Sequence, residues 1–170
     1  MKKFLRELYE WSKLILFSLI VAFWLKNNVV ASSLVPTGSM EETVMAGSRI
    51  VINRLAYLCD TPQRGDIIAF YYPDDGETLY LKRILGLPGE EIEGIDSKVY
   101  IDGKEIQDFT SNKFFEDFGP YAIPEDCYFM MGDNRANSWD SRYWTNKFVN
   151  IEDIVGKAIF EYYPEMKVLK

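Results

Sequence analysis

A chain of 170 residues, 48% of them apolar and 15% aromatic, can build one modest domain with a real core. Its formal charge of −7 is uneven: Lys2, Lys3, Arg6, Lys13 and Lys26 against Glu7 and Glu10 make residues 1–30 net +3 and leave the remainder at −10. An acidic body with no basic stripe argues against nucleic acid as a partner, and the complete lack of histidine requires any serine chemistry to use another base.

The chain opens on an apolar segment. Leu14 to Leu25 carries no charge and is bracketed by Lys13 and Lys26. The run is short for a membrane span of about 20 apolar residues, but Trp11, snorkelling lysines and the apolar stretch from Val29 extend it. One helix from about Tyr9 to about Val30 would then span the bilayer. The same features fit a cleavable signal peptide ending at Val29-Val30-Ala31. Either reading puts residues after 31 outside the cytoplasm, and Lys2, Lys3 and Arg6 favour an N-terminus held inside.

Beyond Ala31 the pattern is β. Short strands are expected at Arg49–Asn53, Gly65–Tyr72, Thr78–Leu85, Cys127–Met131 and Ile154–Tyr163, and Asp102-Gly103 marks a hairpin turn between Val99–Ile101 and Lys104–Ile106. The expectation is an all-β body, residues 31–170, on a helical anchor, residues 1–30. Cys59 and Cys127 form no C-x-x-C motif and no zinc pattern; they read as two free, partly buried thiols, with a single disulfide in an oxidising compartment as the less favoured alternative.

Ser39, in Pro36-Thr37-Gly38-Ser39-Met40, follows the apolar segment; taken alone it is a loop hydroxyl, in neither a Gly-x-Ser-x-Gly nor a Ser-x-x-Lys setting. Lys82 ends the apolar run Leu79-Tyr80-Leu81. Consecutive strand residues point to opposite faces, so Lys82 or Arg83 must face apolar surface. A lysine so held loses hydration of its charged form, its pKa falls, and the neutral amine can take a proton from a serine. The alternative is a solvated lysine pairing with Glu77 or Glu90. A third cluster, Gly132-Asp133-Asn134-Arg135 through Ser138-Trp139-Asp140-Ser141-Arg142, is either a long polar loop or a hydrogen-bonded scaffold braced by Asp140 and Arg142.

Four blocks in order, Pro36–Met40, Gly65–Phe70, Leu81–Glu90 and Gly132–Arg142, resemble those of the type I signal peptidases, membrane-bound Ser/Lys enzymes that remove signal peptides. The resemblance runs from the anchor to Pro164. It implies the signal-peptidase and LexA-like β fold, with the N-terminal segment retained as a transmembrane helix and a small variable β subdomain at about 91–126. It implies Ser39 as nucleophile, Lys82 as general base, and an oxyanion hole from Thr37 and the Ser39 N–H. Ser138 would bond the Lys82 ammonium, and Arg83, Asp133, Asp140 and Arg142 would support the site. No cofactor or metal is implied. The implied partners are secretory preproteins with small residues at the first and third positions before the cut, membrane lipid and the export translocon. The implied location is the plasma membrane, single-pass, with the catalytic domain outside. Glu42 departs from the family, which has proline there. Two other classes fit parts of the pattern: a LexA-like self-cleaving protease, and a catalytically idle membrane-tethered β module.

Overall fold

The computed structural model describes residues 2–114 and 116–169, with the side chains of Lys2, Lys3, Leu5, Arg6, Leu8 and Asn27 outside the described set. The orientation expected from Lys2, Lys3 and Arg6 therefore lies outside the described residues. The first element is a 27-residue helix, α1 (Lys2–Asn28), roughly 40 Å long, with Lys26 in its last turn complementing the helix dipole. Phe17, Leu19 and Phe23 are among the many apolar side chains that it leaves exposed. No helix among the described residues is long and apolar enough to cross a membrane. Of the span expected over Tyr9–Val30, the helix includes Tyr9 to Asn28, with Glu10, Lys13 and Lys26 as its charges there, and the chain leaves helical geometry at Val29 and Val30.

The body beyond α1 is mostly β. The strands are β1 (Val30–Leu34), β2 (Arg49–Asn53), β3 (Ile67–Tyr71), β4 (Leu79–Gly86), β5 (Glu91–Ile95), β6 (Lys98–Ile101), β7 (Lys104–Glu105), β8 (Phe118–Ala122), β9 (Cys127–Met131), β10 (Val149–Asn150), β11 (Ile154–Tyr163) and β12 (Lys167–Val168). Among the described residues, seven strands run in the order β1-β2-β11-β3-β4-β9-β10, with β12 added beside β11. A second sheet has the order β7-β6-β5-β8 and covers Glu91 to Ala122. The β6–β7 hairpin turns at Asp102 and Gly103, both at positive φ (49° and 72°), the geometry an Asp-Gly turn favours.

Three apolar clusters hold these layers. One joins Val35, Met40 and Val44 of the loop after β1 to Ile50, Ile52, Ile67, Ala69 and Ala158. A second packs Leu85 and Phe129 of the large sheet against Ile92, Val99 and Phe118 of the small one. The third lies on the opposite face of β3 and β4, around Ile68, Phe70, Ile84, Met130 and Trp144. Cys59 and Cys127 are both free; Cys127 is half-buried as expected, whereas Cys59 is exposed, in the loop between β2 and β3.

Two of the open sheet edges lie near the start and the middle of the chain. Among the described residues β1 pairs only with β2. In β4, Leu79 to Lys82 pair with β3 on one side, while β9 takes up the other side only from Arg83 onward.

Candidate active site

Ser39 is brought to Lys82 by these two open edges. The loop after β1 is pinned by Met40 and Val44, both fully buried, and by the Val44 N–H donating to the Met40 carbonyl at 2.8 Å. This turn, where proline would preset the backbone, is further held by the Thr43 hydroxyl donating to Asp133 Oδ2 at 2.5 Å. Lys82 sits in the middle of β4, only 4% exposed, and its Nζ donates to Ser39 Oγ at 2.5 Å. Burial lowers the Lys82 pKa from 10.5 to about 8; Asp140 and Asp133 pull against that shift, and Arg142 reinforces it. The solvated alternative is not realised: Glu90 pairs with Arg64 at 2.5 Å. Thr37 Oγ1 lies 3.4 Å from Ser39 Oγ, so the two hydroxyls stand side by side.

Lys82 and Arg83 do point to opposite faces, and both are buried. Arg83 makes a two-pronged pair with Asp133, Nε to Oδ1 at 2.9 Å and Nη2 to Oδ2 at 2.7 Å, and donates to the Gly65 carbonyl at 2.6 Å. Because Asp133 also accepts from Thr43, one carboxylate ties the nucleophile loop to the strand that carries the lysine. In the same loop Asp140 and Arg142 form a second fork, both bonds at 2.8 Å, and Asp140 Oδ2 accepts the Gly132 N–H at 3.0 Å. Ser138 differs from expectation. It lines the same cleft and is buried, but its Oγ has no hydrogen-bond partner among the described residues, so the expected bond to Lys82 is not made. The polar partner of the lysine is Ser39 instead.

Sequence reasoning assigned no role to Asn134. Its N–H donates to the Ser39 carbonyl at 3.1 Å and its Nδ2 to the Gly38 carbonyl at 3.0 Å, fixing the backbone on both sides of the nucleophile. Asn112 likewise bridges the Glu41 carbonyl (3.4 Å) and the Asp133 carbonyl (3.2 Å), and Asp108 forks Arg135. Their side chains are ordinary loop amides and acids; only the folded approach of distant loops gives them partners. Among the described residues no group of histidine, cysteine, aspartate or glutamate is arranged to hold a metal ion.

Around the Ser39–Lys82 pair lies a cleft of about 780 Å³. Val35, Ile50, Ile52, Ala69 and Leu81 make one wall, and Tyr80, Ser138, Trp139 and Tyr143 another. A serine and a lysine of depressed pKa in hydrogen-bond contact within an apolar cleft have the chemistry that a nucleophile and its base require. Residues 8–163 match the family described as Signal peptidase, peptidase S26. The chain belongs to this family. Similar members of the signal peptidase family include the probable signal peptidase I-2 of Synechocystis, 32% identical over 94% of this chain and 75% of that protein. Another is signal peptidase I S of Bacillus subtilis, 32% identical over 94% of this chain and 91% of that protein. Among solved structures, a signal peptidase I from Enterococcus faecalis superposes with a TM-score of 0.50 at 33% identity, covering 58% of this chain and 97% of that one. This signal peptidase relative shares the mostly β body described above.

Proposed function

We propose that the protein is a serine endopeptidase that removes signal peptides from exported preproteins, with Ser39 as nucleophile and Lys82 as general base. The observation that carries the dyad is the 2.5 Å contact between Ser39 Oγ and a Lys82 Nζ whose pKa burial has brought down to about 8. Above that pH the amine is neutral and the contact reverses: Ser39 donates and Nζ accepts. As Oγ attacks the scissile carbonyl, its proton passes to Nζ. The new ammonium returns a proton to the leaving amine as the C–N bond breaks, leaving an acyl-enzyme. A water, deprotonated by the same amine, then cleaves the ester. The Thr37 hydroxyl and the Ser39 N–H are assigned to the carbonyl oxygen, where charge develops; one such donor is worth about 10²–10³ in rate. Arg83 with Asp133, and Asp140 with Arg142, keep the two loops in register.

The substrate enters as an added strand. The open edges of β1 and of Leu79–Lys82 both border the cleft, and an extended peptide between them would satisfy backbone donors and acceptors on either side. The apolar wall of Ile50, Ile52, Ala69 and Leu81 is already filled by its own side chains, which favours small residues at the first and third positions before the cut. We place α1 at the membrane, as the anchor of a single-pass protein with residues 31–170 outside the cytoplasm, where lipid and the export machinery deliver the substrate. Its exposed apolar side chains support membrane contact. The test is cleavage of a preprotein by the full chain in detergent. Ser39→Ala, Lys82→Ala and Lys82→Arg should each be inactive while folded, the last because a guanidinium keeps its proton. Near-normal activity in any one of them overturns the assignment.

A further inference from the structure

Trp139 stands out among its neighbours. Ser138, Asp140 and Ser141 are buried, yet Trp139 is 55% exposed, and it borders the cleft that holds Ser39 and Lys82. A large exposed indole in the middle of a buried segment is held there by contacts of its own. Its ring stacks on Tyr143, centroids 5.6 Å apart and 13° from parallel, and its Nε1 donates to the Tyr72 hydroxyl at 3.3 Å. Tyr72 in turn stacks on Tyr80 at 4.7 Å, and the Tyr80 ring lies 5.6 Å from Lys82 Nζ. These rings form one aromatic wall on the Lys82 face of β4. Leu81, the alternate residue, points to the other face and packs with Ile50, Ile52 and Ala69.

A peptide laid along the open edge of Leu79–Lys82 presents successive side chains to these two faces in turn. The Leu81 face is filled by buried aliphatic side chains and accepts small groups. The Lys82 face opens onto exposed rings. We infer that Trp139, with Tyr143 beside it, is a specificity-determining platform that binds the substrate side chain at the second position before the cut, and that it selects a large apolar or aromatic residue there. The inference rests on the peptidase reading above and names one substrate position within it. An aromatic ring at that position would be covered on one side by the indole, whose orientation is already fixed by its stack and its hydrogen bond, so little rotamer entropy is lost on binding.

The experiment compares kcat/KM of the full chain in detergent on peptides that carry alanine at the first and third positions and phenylalanine, leucine or glycine at the second. The wild type should prefer phenylalanine over glycine by on the order of tenfold. In Trp139→Ala that ratio should fall towards one, whereas Trp139→Phe should retain most of it. A wild-type ratio near one, or a preference that survives in Trp139→Ala, overturns the platform while leaving the peptidase intact. If the wild type cleaves none of the three peptides and no preprotein, the peptidase reading itself fails and the platform falls with it. If Trp139→Ala does not fold, the phenylalanine-to-glycine ratios of the wild type and of Trp139→Phe decide: both must exceed one.

Discussion

Lys82 concentrates the chemistry and the cost of this site in one side chain. Only its neutral form can accept the serine proton, and burial brings its pKa from 10.5 to about 8. The kcat/KM profile should therefore rise with pH through a single ionisation near 8 and level off above it; full activity kept down to pH 5 would identify a carboxylate base instead. The same shift bears on stability. The folded state holds the Lys82 proton less tightly than the unfolded chain does, so burying the amine destabilises the fold throughout the range below about 8. That penalty fades as pH rises from about 8 past 10.5, where both states are neutral. A shift of this size corresponds to about 3 kcal/mol at most. Lys82→Met, which keeps length and removes charge, should be inactive yet more stable than the wild type at pH 7, and that advantage should shrink as the pH approaches 10.5. Denaturant unfolding at the two pH values measures it; equal stability at pH 7 would mean that the amine is better solvated than its burial indicates.

The loop Gly132–Arg142 that follows β9 decides whether the dyad is in register. A Cβ at Gly132 would run into the Ser39 carbonyl oxygen and Ser138 Oγ, both well inside contact distance. The first of these is backbone and cannot swing aside. Gly132→Ala should therefore push the two loops apart, lower kcat at least tenfold with a smaller change in KM, and cost about 1–3 kcal/mol in thermal or denaturant unfolding. Unchanged kcat would show that the nucleophile loop moves freely. This element also shows what a sequence can reveal. Ile154–Tyr163, Cys127–Met131 and the Asp102-Gly103 hairpin announce themselves through apolar runs and turn residues, and the structure has them at or within a residue of the expected bounds. β5 and β8, with Gly94 and the Gly119-Pro120 pair inside them, carry too weak an alternation to be read as strands; they exist because Ile92 and Phe118 pack into the second cluster. Ser39 and Lys82 were legible as a pair through the absence of histidine and the ordered motif blocks. The Ser39 clamp by Asn134 was not, because its partners lie 95 and 96 positions away and no local pattern encodes them.

At the scale of the molecule, the proposed function gives α1 the location and the β body the chemistry. The helix exposes Phe17, Leu19, Phe23 and Trp24, while the polar network of the site lies wholly within the β body. The full chain should therefore sediment with phospholipid vesicles. A chain starting at Ala31 should bind them more weakly yet keep the greater part of its kcat on a short peptide in detergent. Loss of peptide cleavage with loss of the helix would show that α1 supports the fold of the body as well as its position.

The site is also late in the life of the chain. Its bonds join positions 43 (Ser39–Lys82), 90 (Thr43–Asp133) and 96 (Gly38–Asn134) residues apart, and β11, near the C-terminus, lies between β2 and β3 in the sheet that supports them. Loop closure must precede each such contact, so a topology of this kind assembles slowly and as a whole. Ser39 and Lys82 are present in the nascent chain long before they can meet. A polypeptide lacking β11 would hold Ser39 and Lys82 without the sheet that brings them together, so on the proposed reading activity waits until β11 has docked between β2 and β3.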